Sequence, residues 1–309
     1  MKILITCPPM LGAMDQLRGR FLEKRVDVAT PAVAQTVPAA TLARWLPGVD
    51  GWIVGDDPAT RRVLAAGRAG RLRALVKWGV GTDNVDFDAC ADLGIAAAHT
   101  PGMFGREVAD VAMGYVAALA RDTFRIDREV RRGGWPKPAG ISLAGKTVAL
   151  VGFGDIGRQL ARRLLAAEMK VIAYDPAFRA GRGLARVRRG RWPERLGEAD
   201  FVVLCCALTP ASRHLLNAGS LALLKRGVRI VNVARGPLID EAALAGALAA
   251  GGVHSAALDV FETEPLPRAA PLRRFEQCLF GSHNSSNTRE AVLRASHRAI
   301  DLLFGFLRI

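Results

Sequence analysis

Short apolar runs bounded by glycine, proline or polar residues recur from the first residue onward, and between them apolar positions repeat at spacings of three and four. The compact runs read as buried strands and the spaced pattern as amphipathic helix, because side chains alternate along a strand and repeat every 3.6 residues on a helix. Over the first hundred residues the strand runs are 2–6, 25–29, 51–54, 72–78 and 95–99, with helical stretches such as 39–46 and 60–66 between them. Strand alternating with helix predicts a small parallel sheet of the flavodoxin type. One long helix is predicted from about 106 to 132, its apolar stripe formed by Val108, Val111, Ala112, Tyr115 and Leu119, and Gly133-Gly134-Trp135-Pro136 ends it. A second series of strands follows at 147–151, 171–174, 199–205, 228–233, 255–258 and 277–281. The last apolar helix, about 288–306, comes after that series and is expected to return to the first domain.

A chain of 309 residues is too long for one ordinary core, so two domains are expected. The alternation divides them as 1–98 plus 286–309 and 99–285. The fold class is α/β, with two doubly wound parallel-sheet domains and a cleft between them. Half of the residues are hydrophobic, which fits a folded protein. No apolar run approaches a membrane span, and the opening strand is too short for a secretory signal. Five cysteines, odd in number and without metal-ligand spacing, read as reduced thiols in a cytoplasm, and no metal is expected. The net charge of +14 comes almost entirely from arginine, since only seven of 43 basic residues are lysine. Such a surplus raises nucleic-acid binding. The densest run, 179–191, holds six arginines but only Trp192 as a nearby aromatic, so solvated helix faces are the reading kept.

The sharpest chemical signal is Gly152-Phe153-Gly154-Asp155-Ile156-Gly157, lying between the strand run 147–151 and a helix with Ile156, Leu160 and Leu164 on one face. Asp175 closes the next strand, eighteen positions past the last glycine. This is the layout of a Rossmann-type dinucleotide site. Gly152 permits a tight turn, Gly154 lets backbone N–H groups approach a pyrophosphate, and Gly157 allows close helix–strand packing. The Asp175 carboxylate suits the adenosine ribose hydroxyls and disfavours a 2′-phosphate, so NAD is expected over NADP, with Arg179 or Arg182 a possible contact to the same ribose.

Three later segments each run from a strand into polar residues: Asn232-Val233-Ala234-Arg235-Gly236, Asp259-Val260-Phe261-Glu262-Thr263-Glu264-Pro265 and Gly281-Ser282-His283-Asn284. Open α/β sheets bind ligands where their strands end, so these segments offer a guanidinium, a carboxylate and an imidazole to one site. A planar guanidinium pairs bidentately with a carboxylate, and an imidazole moves protons near neutral pH.

With these motifs in order, the chain resembles the D-isomer-specific 2-hydroxyacid dehydrogenases, and within them the D-3-phosphoglycerate dehydrogenase-like members. The likeness covers almost the whole chain and includes Lys77-Trp78-Gly79-Val80-Gly81-Thr82-Asp83-Asn84-Val85-Asp86, similar to the family's substrate loop, and Thr100-Pro101-Gly102 with Val108-Ala109-Asp110, similar to its crossover. The resemblance implies hydride transfer between NAD(H) and C2 of a small D-2-hydroxy or 2-oxo acid, of the 3-phosphoglycerate or glyoxylate/hydroxypyruvate type. It implies Arg235, Glu264 and His283 as catalytic residues, Val80 and Gly81 together with Arg235 as substrate ligands, and Thr209, Val233, Ala234 and Asp259 as further cofactor contacts. It also implies a homodimer built through the cofactor domain; residues 121–135 read equally as a contributor to it or as an intrachain loop. Departures are Asp110 where the family usually has Glu, Cys205-Cys206-Ala207-Leu208-Thr209-Pro210 where many members have a His and a Pro ahead of the Thr, and Ser285-Ser286-Asn287 in place of the commoner glycine-rich continuation. With the chain ending at Ile309, no regulatory C-terminal domain or feedback control through one is expected. Two rival functions use the same scaffold: a dinucleotide-sensing protein resembling the C-terminal-binding-protein corepressors, and an oxidoreductase for an oxyanion such as phosphite.

Overall fold

A computed structural model describes all 309 residues, which divide into two compact units, 1–104 with 287–309 and 105–286. The first unit holds a five-stranded sheet of β1 (Lys2–Ile5), β2 (Asp27–Ala29), β3 (Gly51–Val54), β4 (Ala74–Lys77) and β5 (Ala96–His99). Its order is β2-β1-β3-β4-β5 and every pairing is parallel, the flavodoxin arrangement. Both faces of such a sheet must be covered, which is why β3 and β4 are buried at every position and, but for Lys77 at the end of β4, read as unbroken apolar runs. The final helix, Arg289–Leu307, packs on this sheet. Its Ser296 Oγ accepts from Trp78 Nε1 at 3.0 Å, and Leu303 and Leu307 approach Gly51 so closely that a Cβ there would meet them at 3.1–3.2 Å.

The second unit holds seven parallel strands: β6 (Thr147–Val151), β7 (Lys170–Tyr174), β8 (Arg188–Gly190), β9 (Phe201–Leu204), β10 (Val228–Asn232), β11 (Val253–Leu258) and β12 (Leu279–Phe280). Their order is β12-β11-β10-β9-β6-β7-β8. Chain direction reverses across the sheet between β6 and β9, which makes the doubly wound Rossmann arrangement with its switch point beside β6. A core of Val151, Ile172, Val202, Leu204, Ile230 and Leu258 lies against the helices of one face.

Two local expectations are corrected. The predicted helix 106–132 is two helices, Gly105–Arg121 and Thr123–Arg131, broken at Asp122, which adopts φ +52°. Aspartate tolerates this left-handed conformation better than most residues. The carbonyls just before the break find partners outside the helix, since Leu119 O accepts from Arg229 Nε at 2.9 Å and Ala120 O from the Ile141 N–H at 2.8 Å. The second correction is β8, which forms inside the arginine run where no strand is expected. Its register with β7 (Ile172 opposite Arg188, Tyr174 opposite Gly190) extends the sheet by one charged edge strand. Arginines on an edge leave the ladder intact while discouraging pairing with other chains.

Candidate active site

The glycine turn follows β6 at the switch point. Gly152 has φ +96°, and a Cβ on it would lie 2.6 Å from the Cys206 nitrogen, so only glycine fits between the β6 and β9 ends. A Cβ at Gly157 would lie 2.2 Å from Gly152 O, which confirms tight helix–strand packing. At Gly154 the added atom would meet nothing within 4 Å. Gly154 is also the N-cap of the helix Asp155–Ala166, which carries no side-chain cap. An open approach to uncapped N–H groups at the positive end of a 12-residue helix fits a pyrophosphate. Asp155 and Ile156 open that helix, and Gly105 packs against the Asp155 carboxylate, where a Cβ would be 2.2 Å from Oδ2.

Asp175 lies at the end of β7. Its Oδ2 accepts from the Phe153 N–H at 2.6 Å and its Oδ1 from the Ala177 N–H at 2.8 Å, so the carboxylate ties the glycine turn to the following strand end. The rings of Phe153 and Phe178 stack at 4.8 Å beside it. Arg179 and Arg182 are exposed. The thiol of Cys205 donates to Val151 O and Gly152 O, and burial pushes its pKa up, so it stays a neutral packing group under the turn. Thr209 is exposed in the loop after β9, its Oγ1 3.1 Å from Ser212 Oγ.

Strands β10, β11 and β12 are neighbours in register: Asn232 opposite Leu258, and Leu258 opposite Phe280. Arg235, Asp259 and His283 therefore leave the sheet on one edge, each within three residues of that line. The Asn232 side chain, fully buried, holds the first loop: Nδ2 donates to Arg235 O at 2.8 Å and Oδ1 accepts from the Ala234 N–H at 3.0 Å. Val233 and Ala234 are buried in the same turn, and Arg235 Nη1 donates to Ala234 O at 2.8 Å. Gly236 then presses on the next loop, for a Cβ there would stand 1.8 Å from the Phe261 carbonyl carbon. That contact locks the arginine loop against the glutamate loop.

Glu264 is held at both oxygens. Oε1 accepts from the Phe261 N–H at 2.9 Å, and Oε2 lies 2.7 Å from His283 Nδ1. The two side chains are 22% and 23% exposed, so one face of the pair still meets solvent. His283 has φ +56°, a conformation that costs a non-glycine residue energy and is held here by surrounding bonds. Its N–H donates to Asp259 O at 2.7 Å.

Asp259 is almost fully buried, and its carboxylate accepts from the Asn284 N–H and from the N–H and Oγ of Ser285. It anchors the histidine loop. The same carboxylate, with burial the larger effect, lifts the phenol of Tyr115 to about 12. This bracing role was not read from the sequence, nor were those of Asn232, Gly236 and Gly281, where a Cβ would stand 2.1 Å from Asp259 Oδ1. A glycine directly after a strand end was the available signal, since it marks close backbone approach.

A second histidine–carboxylate pair was also missed. His214 Nε2 lies 2.6 Å from Glu262 Oε1, and the Glu262 N–H donates to Glu241 Oε1 at 2.7 Å. Burial, with the nearby charges of Glu262 and Glu264, raises the Glu241 pKa against the opposing hydrogen bond from Glu262 N–H.

In the first unit, Val80 and Gly81 lie in the loop after β4, Val80 being 39% exposed. No group of three or more His, Cys, Asp or Glu side chains is arranged to hold a metal ion, and no cysteine forms a disulfide. No helix is long and apolar enough to cross a membrane.

Residues 113–285 match the family described as "D-isomer specific 2-hydroxyacid dehydrogenase, NAD binding domain". The chain is 37% identical over 274 residues to hydroxypyruvate reductase of Thermotoga maritima, covering 87% of this chain and 88% of that protein. It is 37% identical over 297 residues to D-3-phosphoglycerate dehydrogenase of Methanocaldococcus jannaschii, covering 94% of this chain but only 54% of that longer protein. The structure of apo D-lactate dehydrogenase from Escherichia coli superposes with a TM-score of 0.85 at 27% identity, covering 100% of this chain and 97% of that one.

Proposed function

Because the chain belongs to the D-isomer-specific 2-hydroxyacid dehydrogenase family and is an NAD-dependent oxidoreductase of 2-hydroxy acids, we propose that Arg235, His283 and Glu264 carry its chemistry on a small 2-oxo acid of the hydroxypyruvate, glyoxylate or phosphohydroxypyruvate type. The observation that carries this reading is the His283–Glu264 pair, emerging from the same sheet edge as Arg235 and locked to its loop through Gly236.

Arg235 binds the substrate carboxylate through its planar guanidinium and draws electron density from the C2 oxygen. Positive charge aimed at an oxygen that becomes more negative stabilises the transition state more than the ground state. His283 supplies the proton to that oxygen in reduction and removes it in oxidation. Its Nδ1–H donates to Glu264, so Nε2 is the nitrogen that transfers the proton. Glu264, itself fixed by the Phe261 N–H, sets the ring orientation. Asp259 keeps the loop of His283 in place from below.

NAD(H), when bound, supplies or accepts the hydride. Gly152, Gly154, Asp155, Ile156 and Gly157 would hold its pyrophosphate, Asp175 its adenosine ribose, and Thr209, Val233, Ala234 and Asp259 its nicotinamide half. Asp259 already accepts from Asn284 and Ser285, so a carboxamide held there would share a carboxylate that also positions the histidine loop. Val80 and Gly81 offer backbone N–H groups to the substrate carboxylate. The two units then act as a substrate-binding domain and an NAD-binding domain.

The helix Thr123–Arg131 has no buried residue, and Phe124, Val130 and, at 77% exposure, Trp135 stand in solvent around it. Exposed apolar side chains of that size in one segment support a homodimer through this region. The thiols, none paired, support a cytoplasmic setting.

The direct test is Arg235→Ala. Substrate use, as kcat/KM, should fall by roughly 10²–10³-fold while NADH binding stays near that of the unaltered protein. Equal loss of both would remove the role assigned to Arg235.

A further inference from the structure

Open parallel sheets take ligands at the carboxyl ends of their strands, and in the first unit that edge is made by the loops 6–9, 30–38, 55–60, 78–86 and 100–104. The charged residues of these loops are all acidic: Asp56, Asp57, Asp83 and Asp86. One cation joins them, Lys77 at the end of β4, and it is not available to a ligand. Lys77 is 2% exposed, and its Nζ donates to Gly55 O at 2.6 Å and to Asp56 Oδ1 at 2.9 Å. A Cβ built on Gly79 would lie 3.5 Å from the same Nζ, so the ammonium sits directly under the turn that leads to Val80 and Gly81.

Other cations near this edge belong to the helices beside it and not to its loops. Arg61 pairs with Asp92, Arg62 stands on the helix face opposite buried Val63 and Leu64, and Arg294 donates to Met103 O. A phosphate group carries nearly two negative charges and needs guanidinium or ammonium donors to replace its water. Here it would meet carboxylates. Drawing Lys77 out to serve it would break the bonds of a buried ammonium to Gly55 O and to the partly exposed Asp56, and strip the support from the 79–81 turn.

We infer that the acid this enzyme reduces bears no phosphate, and that Lys77 is a positioning residue for the 79–81 turn instead of an anion ligand. The inference rests on the reading that the chain turns over small 2-oxo acids and selects the unphosphorylated ones among them.

The test is kcat/KM with NADH for hydroxypyruvate, glyoxylate and phosphohydroxypyruvate, in the unaltered protein and in Lys77→Met. The unaltered protein should favour one of the unphosphorylated acids by roughly 100-fold or more, a discrimination typical of sites with mismatched polar groups. Lys77→Met should lower all activities by a common factor, leaving their ratio within about 3-fold of the original. If that variant does not fold, the ratio in the unaltered protein decides alone. Preference for phosphohydroxypyruvate, or a Lys77→Met loss confined to it, overturns the inference and leaves the functional reading standing. Turnover of none of the three, or of any other 2-oxo acid, removes that reading and the inference with it.

Discussion

Two histidine–carboxylate pairs stand on one edge of the second sheet, at nearly the same separation, and they differ in what holds them. In His283–Glu264 (2.7 Å) the glutamate is pinned by a backbone N–H, the histidine N–H is bonded to Asp259 O, and the following two residues are tied to the Asp259 carboxylate. In His214–Glu262 (2.6 Å) both side chains are more exposed, at 37% and 31%, and the carboxylate has no backbone anchor of its own. His214 is instead bonded through its main chain, its N–H to Pro237 O and its carbonyl from Asn217 Nδ2. The second pair ties three loops together; the first aims an imidazole. If His283 carries the proposed proton transfer and His214 does not, restraint from behind the pair is a better guide to chemistry than proximity of a carboxylate to a ring.

Exchanging or removing members of the pairs sharpens this contrast. His283→Ala should have the largest effect, a fall in kcat of roughly 10³–10⁴-fold with NADH affinity and secondary structure retained, read by steady-state kinetics, NADH fluorescence and circular dichroism. A variant with near-full turnover would end the proton-transfer role. Glu264→Gln keeps the shape but loses the charge and one of the two acceptors, for His283 Nδ1–H or the Phe261 N–H, so kcat should fall by about 10–100-fold with KM little changed. His214→Gln should be the mildest, within about 3-fold in kcat/KM, because it loosens an exposed contact. A loss at His214 as large as at His283 would reverse the distinction drawn between the pairs.

Much of this was legible in the sequence because the signals were local. A glycine turn between an apolar strand and an amphipathic helix leaves its mark within a dozen residues, and Gly152, Gly154 and Gly157 occupy the positions that turn requires. The polar residues after β10, β11 and β12 were visible for the same reason: each ends an apolar run abruptly. What stayed hidden depends on distant partners. Nothing near Asp122 announces a helix break that is completed by Arg229 and Ile141, and β8 is three residues of arginine and glycine whose strand character comes from pairing with β7. Lys77 looks in sequence like a cation offered to a ligand. Only its burial beside Asp56, twenty-one positions earlier, shows otherwise.

The central claim is that Arg235 and His283 act on the same reacting group. A double-mutant cycle measures it: NADH oxidation rates for Arg235→Ala, His283→Ala and the double variant, against the unaltered protein. Residues that work as a unit are strongly non-additive, so the double variant should be slower than His283→Ala alone by less than about 5-fold. If its loss instead equals the product of the two single losses, the two side chains act independently and the shared chemistry is contradicted.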